Sequence, residues 1–217
     1  MESSTNQKVA IITGSSTGIG YETSIALARD GFLTYATMRN LNKAEDIKSI
    51  ATKENLPLWV KQLDVTDDAS VKNAVEAISS ETGGRIDVLV NNAGYGLNGA
   101  LEDLSMDEIK SQYETNFFGL IRVTQAVLPT MRRRKSWTIV NISSGAGRFG
   151  FPGGSAYVST KFAVEGLSES ISYELEPFRI KVVIVEPGAI RTTLVMVWLL
   201  RRSLKIQILR ILRWWKK

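Results

Sequence analysis

One alternation constrains this chain more than any other feature. Short β-branched apolar runs take turns with amphipathic stretches six times over. "KVAIIT" (8–13), "FLTYATM" (32–38), "LWVKQLDV" (58–65), "IDVLVNNA" (86–93), "TIVNIS" (138–143) and "IKVVIVE" (180–186) read as strands. Between them the pattern predicts helices from about Ile19 to Arg29, near 42–54, across 68–80, over about 106–131 and near 155–176. Near-continuous apolar strands are buried on both faces, the condition of a parallel sheet covered by helices on either side. Right-handed crossovers then leave a doubly wound α/β arrangement, whose ligand crevice lies beyond the carboxyl ends of the strands. The expected domain covers 1–193, and 194–217 form a basic, apolar tail that reads as helical.

Composition narrows the chemistry. The chain of 217 residues has the length of one ordinary domain and holds no cysteine and no histidine. Disulfides, thiolate catalysis and Cys- or His-ligated metals are thereby excluded, and no metal site is expected. Proton transfer is left to Tyr, Lys, Asp or Glu. The net charge of +5 belongs to the end of the chain: residues 201–217 carry seven Lys or Arg and no acid, against 20 basic and 22 acidic residues before them. A nucleic-acid-binding face is therefore not expected on the domain. The opening "MESSTNQKVAIITG" does not read as a signal peptide or a spanning helix, so the expected compartment is cytoplasmic.

Each strand ends in something chemically distinctive. The first runs into "TGSSTGIG" (13–20), with glycines at 14, 18 and 20 between a buried strand and a helix. Such glycines let a backbone turn sharply and approach a pyrophosphate, whose charge sits on the helix N-terminus. The second strand ends at Met38 and Arg39, the third at Asp64, the fourth at "NNAG", the fifth at Ser143 and Ser144, the sixth at "EPGAIRT". On the predicted helix near 155–176, Tyr157 and Lys161 fall one turn apart on one face.

The G-x-x-x-G-x-G spacing differs from the commoner G-x-G-x-x-G fingerprint. With "NNAG" (91–94), "TNFFG" (115–119), "NISS" (141–144), "YVSTK" (157–161) and "PGAIRT" (187–192), the chain resembles the short-chain dehydrogenases/reductases over roughly residues 8–193, about nine-tenths of its length. Stretches such as "VLVNNAGYGLNGALED" look most like the hydroxysteroid and retinol dehydrogenase branch.

The resemblance implies a Rossmann-type fold and an NADP(H)-dependent oxidoreductase. Hydride would move between nicotinamide and a secondary alcohol, ketone or aldehyde, with an apolar small molecule as substrate. Tyr157 would be the general acid in reduction and the base in oxidation. Its free pKa near about 10 is high for that task, and Lys161 would favour the phenolate while bonding the nicotinamide ribose. Ser144, 13 residues before Tyr157, matches the serine that polarises the substrate oxygen, with Ser143 as the lesser candidate. Asn116 matches the asparagine that organises a water-linked proton path to the lysine.

The cofactor set implied is Gly14, Ser16, Thr17, Gly18, Ile19, Gly20, Arg39, Asp64, Val65, Asn92, Ala93, Gly94, Tyr157, Lys161, Pro187, Gly188, Ile190 and Thr192. Asp64 and Val65 would read the adenine ring. Pro187, Gly188, Ile190 and Thr192 would hold the carboxamide, and "GYGLNG" (94–99) would start the substrate pocket. Asn91 would help to stabilise the sheet. An acid after the second strand would favour NAD; Arg39, with Ser16 or Thr17 assisting, favours a 2′-phosphate and hence NADP over NAD.

The chain departs from the family pattern after Thr192, where no further strand is signalled. The final strand of the family is expected to be missing, leaving "IKVVIVE" at the sheet edge. Trp137 stands where a small turn residue is usual. In the tail, Leu204, Ile208, Ile211, Leu212 and Trp215 share one helical face opposite Arg202, Lys205, Arg210, Arg213 and Lys217. Three readings stay open: an aberrant terminus, a substituted lid, or a basic helix giving peripheral membrane contact. Two rival functions accompany them, a cofactor-binding protein impaired in catalysis and a domain carried to membrane surfaces by its tail. Dimers or tetramers are frequent in the family, so homo-oligomers enter the expectation.

Overall fold

The computed structural model describes residues 7–134 and 137–188. Six strands form one parallel sheet: β1 (Val9–Ile12), β2 (Leu33–Met38), β3 (Leu58–Gln62), β4 (Val88–Asn91), β5 (Trp137–Ile142) and β6 (Ile180–Val185). Their spatial order is β3-β2-β1-β4-β5-β6. The order reverses direction between β1 and β4, the switch point at which doubly wound sheets open a crevice. Strand β6 is an edge among the described residues. The expected absence of a further strand concerns residues beyond 188 and lies outside them, as does the tail 194–217.

Helices α1 (Gly18–Arg29), α2 (Glu45–Lys53), α3 (Asp68–Glu81), α4 (Met106–Tyr113), α5 (Gly119–Arg134) and α6 (Ser155–Leu175) connect the strands. The sheet divides its side chains by parity, as a pleated strand must. Val9, Ile11, Leu89 and Ile139 join Val75 and Ile78 of α3, Val127 and Met131 of α5 and Leu175 of α6 in one core. Ala10, Ile12, Val90, Val140 and Ile142 face the other way, onto Leu27 of α1. Met38 and Leu58 extend that second face with Ile25 and Ile47 of α1 and α2. Burial of this apolar area, at about 25 cal/mol per Å², is the main term holding the layers together.

Two local departures from expectation have physical causes. The helix predicted over 106–131 is interrupted by a π-helical segment, Glu114–Phe118, between α4 and α5. Trp137 is not a turn residue: it opens β5, pairs with Ile180 and is 5% exposed. No helix among the described residues is long and apolar enough to cross a membrane.

Candidate active site

The glycine loop sits at the switch point and is held by the end of β4. Gly14 has φ +67°, and a Cβ there would stand 2.8 Å from the Ala93 Cα. A Cβ on Gly20 would press on the Asn92 side-chain nitrogen and stand 2.6 Å from the Gly14 carbonyl oxygen. Only glycine permits that approach at both places. The Asn92 side chain donates to the carbonyls of Thr13 and Gly14 at 2.9 and 3.0 Å, and the amides of Asn92 and Ala93 both donate to the Thr13 hydroxyl at 3.0 Å. Gly18, with φ +65°, starts α1, and Thr17 before it is extended. No acid occupies the first turn of α1, so the positive end of the helix is uncancelled at the rim. Ser16 lies half-buried beside it, and Ile19 packs back onto the core.

The neighbouring stretch of the rim is built at the ends of β2 and β3. The Arg39 side chain is 77% exposed and lies 4.0 Å from Asp64. The Asp64 carboxylate accepts from the amide and hydroxyl of Thr66 at 3.0 and 2.8 Å, which fixes its orientation. Val65 is buried, and its carbonyl accepts from Arg122 at 2.6 Å. Arg122 also pairs with Asp68 and, at 2.7 Å, with Glu114 of the π segment. It thus straps the β3–α3 connection to the segment that carries Asn116. Sequence reading passed over Arg122, since its partners are far off in the chain.

Asn116 is buried, and its side chain is fully engaged. Its amide donates to the Tyr95 carbonyl at 2.9 Å and to the Thr160 hydroxyl at 3.2 Å, while its oxygen accepts from the Tyr95 amide at 3.0 Å. The Thr160 hydroxyl in turn donates to the Tyr157 carbonyl at 2.8 Å. The asparagine therefore clamps the loop after Gly94 to the helix that carries Tyr157 and Lys161. A π segment at this place is in keeping with the tendency of such bulges to occur at functional sites. Beneath it, the Asn91 amide donates to Thr124 at 3.0 Å and to Asn141 at 2.9 Å, tying β4 to α5 and β5 as the sequence suggested.

Tyr157, Lys161 and Ser144 converge at the end of β5. The Ser144 hydroxyl accepts from the Ala146 amide at 3.2 Å, whereas the Ser143 hydroxyl is buried without a hydrogen-bond partner. Burial pushes the Tyr157 phenol above its ordinary pKa, against a smaller downward pull from Ser144. Lys161 Nζ donates to the Ile142 carbonyl at 2.9 Å and lies 5.8 Å from the Tyr157 ring centroid. Burial lowers Lys161 to about 8, against a smaller upward pull from Glu165. Sequence reasoning gave the downward influence on the phenol to Lys161; here it comes from Ser144.

Pro187 and Gly188 border the same crevice. The Pro187 carbonyl accepts from the Gly145 amide at 3.0 Å, which joins the β6 end to the Ser144 loop. Ile190 and Thr192 lie outside the described residues. On the far side, the Gly99 amide donates to Gly153 at 2.9 Å, bridging "GYGLNG" to the loop before α6. Leu101, Phe149 and Phe151 are exposed on these two loops.

Residues 8–201 match the sequence model of the short chain dehydrogenases. The chain belongs to that family. This short-chain dehydrogenase is 43% identical to the uncharacterized oxidoreductase YusZ of Bacillus subtilis over 191 residues, 87% of this chain and 67% of that one. It is 43% identical to human retinol dehydrogenase 8 over 189 residues, 85% of this chain and 60% of the relative. The chain thus spans about two thirds or less of these relatives. Its fold superposes on an alcohol dehydrogenase from the archaeon Thermococcus sibiricus, complexed with 5-hydroxy-NADP, with a TM-score of 0.79 at 32% identity, covering 85% of this chain and 77% of that one.

Proposed function

We propose that this short-chain dehydrogenase is an NADP(H)-dependent oxidoreductase acting on an apolar secondary alcohol, its ketone, or an aldehyde. The observation that carries the reading is the meeting of Ser144, Tyr157 and Lys161 at the carboxyl end of the sheet, beside the loop of Gly14, Gly18 and Gly20. The residues fit a dinucleotide. The uncancelled N-terminus of α1 suits a pyrophosphate, Asp64 and Val65 border a place for a base, and the exposed Arg39 fork suits a 2′-phosphate. The NADP complex of the archaeal relative supports the same choice.

The nicotinamide ring, when bound, supplies or accepts the hydride; the chain supplies orientation and the proton. In reduction the Tyr157 phenol gives its proton to the oxygen that gains the electron pair. In oxidation the phenolate takes the hydroxyl proton. Ser144 holds the substrate oxygen by a hydrogen bond and pulls the phenol down against the upward push of burial. Lys161 keeps a positive charge under the phenol at the low dielectric of a buried site. Asn116 fixes the helix that carries both groups. The exposed Leu101, Phe149 and Phe151 make the mouth apolar, which suits a hydrophobic substrate.

Incubation with NADPH and a panel of apolar ketones and aldehydes, followed by the absorbance of reduced nicotinamide, tests the reading. Turnover that Tyr157→Phe abolishes is expected. A Tyr157→Phe protein as active as the wild type would refute it.

A further inference from the structure

Behind the proposed catalytic pair lies a charged group that the reaction as described does not use. Glu165 sits one turn beyond Lys161 on α6, and its side chain is only 9% exposed. Neither carboxylate oxygen has a hydrogen-bond donor, and the ion-pair partner is Arg148 Nη2 at 3.3 Å. A buried carboxylate is costly unless it is paired and hydrogen-bonded, so one with a single long ion pair and no hydrogen bond calls for an explanation. The floor around it is closed: a Cβ on Gly147 would stand 2.8 Å from Glu165 Oε1 and 2.8 Å from Ser143 Oγ. Arg148 is simultaneously held by Glu186 at 2.6 Å, immediately before Pro187. One guanidinium thus joins the loop after Ser144, the helix of Lys161 and the end of β6.

Resting on the reading of Lys161 given above, we propose that Glu165 is a positioning residue for the lysine: its buried carboxylate balances the ammonium one turn away on α6, and Arg148 sets how strongly that charge is felt. The surroundings leave this role to Glu165. On α6 itself the other titratable neighbour is Tyr157, on the far side of the ammonium. Glu114 of the π segment is drawn off by Arg122. Glu186 at the end of β6 is drawn off by Arg148. Asp107, Glu108 and Lys110 of α4 and Lys181 of β6 are exposed and Tyr113 is half-buried, whereas Glu165 is buried with Lys161 on α6, one turn away. The ammonium spends its bond on the Ile142 carbonyl, so Glu165 acts through space, which a low dielectric permits.

The test is a titration of the lysine itself in the full chain labelled with 13C at lysine Cε. The Lys161 signal is assigned by its loss in Lys161→Arg. Glu165→Gln keeps the shape and removes the charge, so the Lys161 midpoint is expected to move to lower pH. Arg148→Gln unshields Glu165 and removes a cation, so the midpoint is expected to move to higher pH. Glu165→Asp should return it toward the wild-type position. Shifts of opposite sign from two neighbouring neutral substitutions are not produced by loosened packing. A Glu165→Gln midpoint that fails to fall overturns the proposal; should that variant not fold, an Arg148→Gln midpoint that fails to rise does so. The readout needs no turnover, so an inactive wild type would count against the oxidoreductase reading alone.

Discussion

Lys161 Nζ donates to the Ile142 carbonyl oxygen at 2.9 Å, at the carboxyl end of β5. That bond carries the ammonium out of water, and burial lowers its pKa from 10.5 to about 8. Between those two values the unfolded chain binds the proton that the folded chain has released. Stability therefore rises with pH across this window, and the full cost of burying the charge is present below about 8. Lys161→Met removes the titration. The wild type should gain on the order of 2 kcal/mol relative to Lys161→Met between about pH 7 and pH 10, at about 1.4 kcal/mol for each unit of pH traversed. Urea denaturation of both proteins at the two pH values measures it, and a constant difference would contradict it.

Ser144 is the group that opposes burial at the Tyr157 phenol. Ser144→Ala should leave burial unopposed and raise the phenol further. In the oxidation direction, where phenolate is the working form, the rise of rate with pH should move to higher pH. The lost contact to the substrate oxygen should lower kcat by about 100-fold or more, the usual effect of removing one donor of this kind. Ser143→Ala is the contrast, because the Ser143 hydroxyl has no partner and does not address the phenol. Its pH profile should keep the wild-type position.

At the other end of the crevice, the Arg39 side chain is 77% exposed and 4.0 Å from Asp64. An ion pair of that length and exposure contributes little to folding. Arg39→Ala should leave the melting temperature nearly unchanged while weakening NADPH binding by about 10- to 100-fold, the worth of a charge-assisted bond to a phosphate. NADH should be almost unaffected. Comparing the two KM values decides the matter, and equal losses for both cofactors would sink the assignment of Arg39 to the 2′-phosphate.

How much of this was legible in the chain follows from where the information sits. The strand runs from "KVAIIT" to "IKVVIVE" and the helices between them appear within a few residues of their predicted places, because burial on both faces writes itself into local composition. Gly14 and Gly20 were legible as a turn, although their contacts with Ala93 and Asn92 were not. The π segment at Glu114–Phe118 was invisible because one extra residue in a turn leaves the apolar periodicity nearly intact. The strap of Arg122 onto Val65 and the pairing of the buried Glu165 with the exposed Arg148 were missed for another reason. Each joins residues that meet only after the sheet has brought their elements together, and a charged residue on a helix is ordinarily a solvated one.

Gly14 and Gly31 offer a test that separates strain from packing. Both have positive φ, +67° and +88°, so alanine at either costs roughly 1–2 kcal/mol of backbone strain. At Gly31, past the end of α1, a Cβ would meet nothing within 4 Å. At Gly14 it would meet the backbone of Ala93, its Cα at 2.8 Å and its amide nitrogen at 3.1 Å. Neither the Gly14 nor the Ala93 backbone can retreat without moving β1 or β4, which are paired through Ile12 and Val90. Gly31→Ala should therefore lose only the strain term and bind NADPH as the wild type does. Gly14→Ala should lose about 1–3 kcal/mol more, in the range of overpacked cores, and bind NADPH at least about tenfold more weakly, since 1.4 kcal/mol is a factor of ten. Denaturant melts and a cofactor fluorescence titration on the two variants give both numbers. If Gly14→Ala matched Gly31→Ala in both, the loop would not be held against β4 in the way the contacts require.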